Sequence, residues 1–303
     1  MPTSPSPPDP PGTGVPVRGI PRTSATNPPG TSAGIPRIRR ARGFRLYDVQ
    51  GKRYLDLSRD GALLGHRGMA ALTAMKSVLS QGLATSLPSA WETRLVAALL
   101  RLFPQSRCVR LFLSRERALD AISQYLGRRV DGQEVHDPAL DLPAPDPSLP
   151  ALWRPFLPVP QGVAALIPVL PFTVCGAPAP ACFPEALPAD LGRSDPLPGF
   201  LLAGALHGLS ALSEKSSARA RKQPRLGSRA VERALDAAHG WKRTGPYVRA
   251  AFPATEYARV HAEFLAAGVL LCAGYPGPSV LPGECSPGET RLLADLFARI
   301  PGG

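Results

Sequence analysis

Lysine is scarce: only five of the 35 basic residues are lysine (Lys52, Lys76, Lys215, Lys222 and Lys242), the rest being arginine. Chemistry that needs a nucleophilic amine therefore has few places to occur. Aromatic residues make up 6% of the chain, too few to interleave with the arginines as a base-stacking surface. The five cysteines are an odd number with no C-x-x-C pair and no histidine at ligand spacing, which argues against zinc or any other metal and for reduced thiols in the cytoplasm. Long apolar runs are missing too. The longest, 162–172, is interrupted by Pro168 and Pro171 and falls short of the roughly 20 residues of a membrane span. The first residues, MPTSPSPPDPPGTG, carry neither the basic nor the apolar segment of a signal peptide. No P-loop, Gly-x-Gly-x-x-Gly or nucleophile-elbow pattern occurs.

Proline (37) and glycine (29) are abundant, and 44% of the residues are apolar, enough for a substantial core. The formal charge of +12 comes from dispersed arginines whose densest runs, 37–45 and 219–225, are short and separated. Solvated charge is the plainer reading of both, and nucleic acid is not expected as a partner; an Arg-rich anion-binding protein is the alternative of another class. Residues 1–42 read as a disordered, Pro-rich tail, 43–225 as a large domain whose stretch 128–198 is Pro-rich and irregular, and 226–303 as a small C-terminal α+β domain.

Local patterns suggest the elements. Two alternating runs, 44–49 and 52–57, flank Gln50-Gly51 as a hairpin. Helical spacing over 69–79 places Leu72, Met75 and Leu79 on one face. Ser89 and Glu92 form a capping-box pattern ahead of Leu95, Leu99 and Leu102, and Ser286 with Glu289 repeats it. CVRLFL (108–113) reads as a buried strand, followed by a helix capped by Ser114 and closed by Gly127. A strand is expected over 163–170, helices over 200–212, 228–239 and 254–267, a short strand over 269–272, and a last helix running to 300.

The run RLYDVQGKRYLDLS (45–58), then Gly65-His66, Ala84-Thr85-Ser86-Leu87-Pro88 with Glu92, and VRLFLSRERALDAISQYLG (109–127) resembles, in order and spacing, the opening of class III aminotransferases of the glutamate-1-semialdehyde aminomutase branch. Residues 257–289 resemble, more loosely, their small C-terminal domain. The resemblance implies an α/β fold with a reduced fold-type I large domain and a small α+β domain, and a homodimer or another protein partner. It also implies pyridoxal phosphate, which asks for a Schiff-base lysine, a carboxylate at the pyridine nitrogen, and amides at a helix N-terminus for the phosphate.

None of the three requirements is met in recognisable form. The family's Ser-Lys step is absent, leaving Lys242, in a Gly-flanked segment, as the one candidate. Its Asp-Glu-Val strand end has no counterpart, and Asp190 and Asp195 read as turn or cap residues. At the phosphate turn Ser114 persists, but Arg115 stands where glycine is expected; a capped helix is the plainer reading. Thr85 and Ser86 would stand at the active-site mouth by resemblance. The expectation is a non-catalytic homologue that needs no cofactor, with pyridoxal phosphate only if the family's chemistry survives on a relocated lysine.

Overall fold

The computed structural model describes residues 36–58, 61–66, 68–140, 146–222 and 229–299. The first 35 residues of the expected tail lie outside these, but its last part does not. Strand β1 (Ile38–Arg42) pairs antiparallel with β2 (Arg45–Asp48), which continues into β3 (Arg53–Asp56) through the expected hairpin. The turn is held by Asp48, whose Oδ1 accepts from the amides of Gln50 and Lys52 while Gly51 takes φ +88°. Short helix α1 (Gly61–Leu64) follows. At Gly65 (φ +77°) an added Cβ would lie 3.0 Å from the Gly43 carbonyl oxygen, which accepts from the His66 amide.

Helix α2 (Met69–Ser80) forms where expected; Ala71, Ala74 and Val78 are its fully buried residues, with Leu72 and Met75 half-buried. Small residues let it approach α5 (Gly199–Lys222) closely: a Cβ at Gly204 would come within 2.9 Å of the Met75 side chain. Leu79 is left 44% exposed. Helix α3 (Ala90–Leu102) buries Leu95 and Leu99, though Ser89 makes no side-chain cap; its hydroxyl is buried against Gly199 without a partner. Strand β4 (Cys108–Phe112) leads to α4 (Arg115–Leu126), which Ser114 caps and left-handed Gly127 ends.

The Pro-rich stretch is not irregular throughout. It supplies β5 (Pro150–Trp153), β6 (Ala165–Pro168) and β7 (Ala179–Phe183), which with β4 make a sheet of order β4-β7-β6-β5. Strands β5 and β6 are parallel, and β7 runs antiparallel to both β4 and β6, so β4, β5 and β6 point the same way. Pro150 opens an edge strand and Pro168 ends its strand, where no ladder amide is required, whereas Pro180 lies within the inner strand β7 opposite Leu111. Of the basic run 219–225, residues 219–222 lie in the last turns of α5, and 223–225 lie outside the described residues.

Helix α6 (Arg229–Ala237) precedes a hairpin of β8 (Trp241–Thr244) and β9 (Tyr247–Ala250), joined by β11 (Ser279–Val280). Helix α7 (Ala254–Ala266) leads into β10 (Val269–Leu270), which pairs in parallel with β3. Helix α8 (Pro287–Ala298) starts with the expected capping box of Ser286 and Glu289. One core therefore joins the two ends of the chain: Phe44, Leu55 and Leu57 pack with Trp241, Phe252, Phe264 and Phe297. The opening hairpin, grouped by sequence with residues 43–225, shares its sheet and its core with residues 226–299. No described helix is long and apolar enough to cross a membrane.

Candidate functional site

The C-terminal ends of β4, β5 and β6 open on one cavity of about 700 Å³. Crevices outside the carboxyl ends of parallel strands are where open α/β sheets bind ligands, because the strands stop and the following loops diverge there. Leu152 and Arg154 reach the cavity from β5, Ile167 to Leu170 from β6, and Arg115 from the first turn of α4. The segment carrying Val135, Asp137 and Leu140 forms another wall, and Tyr247, Cys272, Tyr275 and Val280 close it from the C-terminal side.

Its polar centre is an ion pair. Arg154 Nε and Nη2 each lie 2.6 Å from the two oxygens of Asp137, a bidentate fork with both side chains about nine-tenths buried. Asp137 is placed by local structure: its Oδ1 also accepts from the Ala139 amide, opening a single 3₁₀ turn (Pro138–Leu140). Arg154 extends directly from the end of β5, with its guanidinium carbon 5.3 Å from the centre of the Tyr247 ring. Burial works against its charge, but the Asp137 hydrogen bond and charge outweigh it and raise the guanidinium pKa above its ordinary value. Tyr247 is positioned by its own hydroxyl, which donates to the Pro155 carbonyl at 3.1 Å.

The turn after β4 is occupied by the protein itself. The Leu113 amide donates to Asp195 Oδ2 at 3.0 Å, and Arg117 donates to Asp195 Oδ1 at 2.9 Å. Ser114 Oγ accepts from the Arg117 amide as a helix cap, and Ser194 Oγ takes the Leu111 amide. Burial opposes the Asp195 charge, but Arg117 and the Leu113 amide more than offset it and hold the carboxyl below its ordinary pKa. Asp195 is thus a structural carboxylate, and it faces the place where a phosphate would need amides.

The structure brings Arg115 to the cavity, and Ser114 only to the helix cap behind it. Thr85 and Ser86 are exposed and do not line it. Lys242 sits on β8, not in a loop, with an exposed side chain that is also absent from the lining. Among the described residues, no lysine lines the cavity. Its one described carboxylate, Asp137, is committed to Arg154. These residues do not fit pyridoxal phosphate: no described lysine is at hand, the carboxylate is paired with Arg154, and the Leu113 and Arg117 amides of the turn are already engaged.

Sequence reasoning missed Asp137 and Arg154, although a signal was present. Each stands directly before a proline, as does Asp195, and Arg154 ends the apolar run Pro150–Trp153. A residue preceding proline is driven to extended backbone, which aims its side chain away from the local chain.

No protein-family model matches the chain. An uncharacterized protein of Treponema pallidum is 30% identical over 286 residues, covering 81% of this chain and 89% of that protein. The glutamate-1-semialdehyde 2,1-aminomutase of Heliobacterium modesticaldum is 29% identical over 186 residues, or 54% of this chain and 42% of that enzyme. That of Leptothrix cholodnii is 36% identical over 93 residues, 21% of its length. Among solved structures, ornithine aminotransferase from Plasmodium yoelii superposes with a TM-score of 0.61 at 12% identity, over 90% of this chain and 95% of that one. The chain is similar in sequence, over part of its length, to class III pyridoxal-phosphate aminotransferases and shares their fold. An omega-transaminase from Sphaerobacter thermophilus (TM-score 0.61, 16% identity, 87% and 90% coverage) places it on the same fold-type I scaffold. This chain therefore spans well under half the length of the aminomutases it matches, while matching the Treponema protein nearly end to end.

Proposed function

We propose that this class III relative is a non-catalytic homologue, keeping the scaffold and the cavity of an aminotransferase without its covalent chemistry, and acting as a scaffold or partner subunit. One observation carries the reading: the strand ends around the cavity present the Arg154–Asp137 pair and no described lysine. A guanidinium at the end of β5 disfavours a second cation beside it, so a protonated pyridine ring has no stabilising carboxylate to meet. By family likeness the protein forms a homodimer; the exposed Leu79, Leu83 and Leu87 offer apolar surface for it.

The test is the visible spectrum of purified protein mixed with pyridoxal phosphate, before and after borohydride reduction, with mass mapping of any adduct. Scattered or no labelling is the expected result. Stoichiometric reduction onto one lysine would overturn the reading and make the protein an active relative with a relocated amine.

A further inference from the structure

We infer that the cavity binds a small monocarboxylate with an apolar body, held by the free edge of Arg154. The inference rests on the reading that the cavity does not hold pyridoxal phosphate. Arg154 spends Nε and Nη2 on Asp137, and its Nη1 makes no hydrogen bond to any described residue, although the side chain is only 12% exposed and lines the cavity. Nη1 is open to the cavity, so an acceptor that enters there can take the place of water at this donor. The Nη1–Nη2 edge of a guanidinium matches the two oxygens of a carboxylate in a planar fork.

The neighbouring groups narrow the class. Asp137 already neutralises much of the Arg154 charge, and its carboxylate would repel a dianion such as phosphate at the same edge. A ligand amine would find Asp137 already paired. Arg115 adds positive charge at the exposed rim, favouring entry of an anion. Away from this pole the walls are largely apolar, with Leu63, Val135, Leu152, Ile167, Leu170 and Val280 facing one space alongside Gln133, Thr173 and Tyr275. A cavity of about 700 Å³ suits a ligand with a hydrocarbon or aryl body rather than acetate or formate. Asp137 acts as the positioning residue, since it fixes the plane of the guanidinium.

The experiment is isothermal titration calorimetry of the full chain with octanoate and phenylacetate, against octanamide, phenylacetamide and inorganic phosphate, with the pyridoxal-phosphate spectrum recorded on the same preparation. The carboxylates are expected to bind at least about tenfold more tightly than their amides, and phosphate to give no saturable heat. Replacing both charged partners, Arg154→Gln with Asp137→Asn, is expected to erase that preference while the thermal melt stays cooperative. Filling the cavity with Val169→Trp is expected to abolish binding of acid and amide alike. Equal affinity for acid and amide, tighter binding of phosphate, or octanoate binding that survives Val169→Trp would each overturn the proposal. Absence of carboxylate binding with no lysine-linked cofactor would sink this inference and leave the non-catalytic reading standing. A lysine-linked cofactor would sink both.

Discussion

The two halves of this molecule bury their residues in different ways. The core that joins the chain ends is aromatic and tightly interlocked: Trp241 lies 5.1 to 5.7 Å from Phe252, Phe264 and Phe297, ring to ring. An ion pair ties the same ends together, with Arg45 Nε donating to Glu289 Oε1 at 2.7 Å. The central sheet is made of alanine- and proline-rich strands, such as PALW and APACF, that surround a cavity and a buried ion pair. The first region uses large side chains to hold distant segments in place. The second leaves a shaped space open at its strand ends, beside a charge pair formed within the protein.

Mutations sharpen this contrast, beginning with the strongest. Trp241→Ala is expected to cost about 3–5 kcal/mol, because it opens a void among three rings; a urea unfolding curve measures it. A loss under 1 kcal/mol would show that the aromatic core does not hold the chain ends together. In the central sheet, Arg154→Met alone is expected to cost about 3 kcal/mol by leaving Asp137 buried and unpaired. Combined with Asp137→Leu, the loss should shrink to about 1 kcal/mol or less, since no charge is left unpaired. If the double variant is as unstable as the single, the pair is a structural pillar rather than a neutralised remnant.

Glu289→Gln is expected to cost about 2 kcal/mol, because the carboxylate accepts from Arg45 and from the Ser286 amide. Burial pushes its pKa up, but the Arg45 and Ser286 hydrogen bonds dominate and bring it down from 4.5 to about 2. A depressed folded-state pKa means this contribution is complete above pH 4.5 and is lost as pH falls toward about 2. Unfolding midpoints of wild type and Glu289→Gln should therefore converge across that window. The smallest effect compares two serines: Ser286→Ala is expected to cost about 1 kcal/mol, and Ser89→Ala about nothing. Only the Ser286 hydroxyl makes its cap bond, whereas that of Ser89 is buried without a partner. Equal losses in thermal melts would refute that distinction.

Much of the fold was legible because it rests on local signals. The Gln50-Gly51 turn, the Ser114 cap with Gly127, the Leu95–Leu99 stripe and the Ser286–Glu289 box each place their element within a few residues. The sequence also narrowed the candidate amines to five lysines, which can be inspected one by one. Where local signals were weak, tertiary packing decided. Strands β5 and β7 escaped notice because each carries a proline, which reads as a strand breaker along the sequence. On α2 the expected stripe was only half right, since Met75 packs against Gly204 of α5 while Leu79 is left exposed and Ala71, Ala74 and Val78 are the fully buried residues.

The meeting of Asp137 with Arg154, and of Arg45 with Glu289 across almost the whole chain, could not be read along the sequence. Short-range periodicity reports how a segment folds on itself. Which charges share a cavity depends on the order and direction of strands, and only the assembled sheets set that.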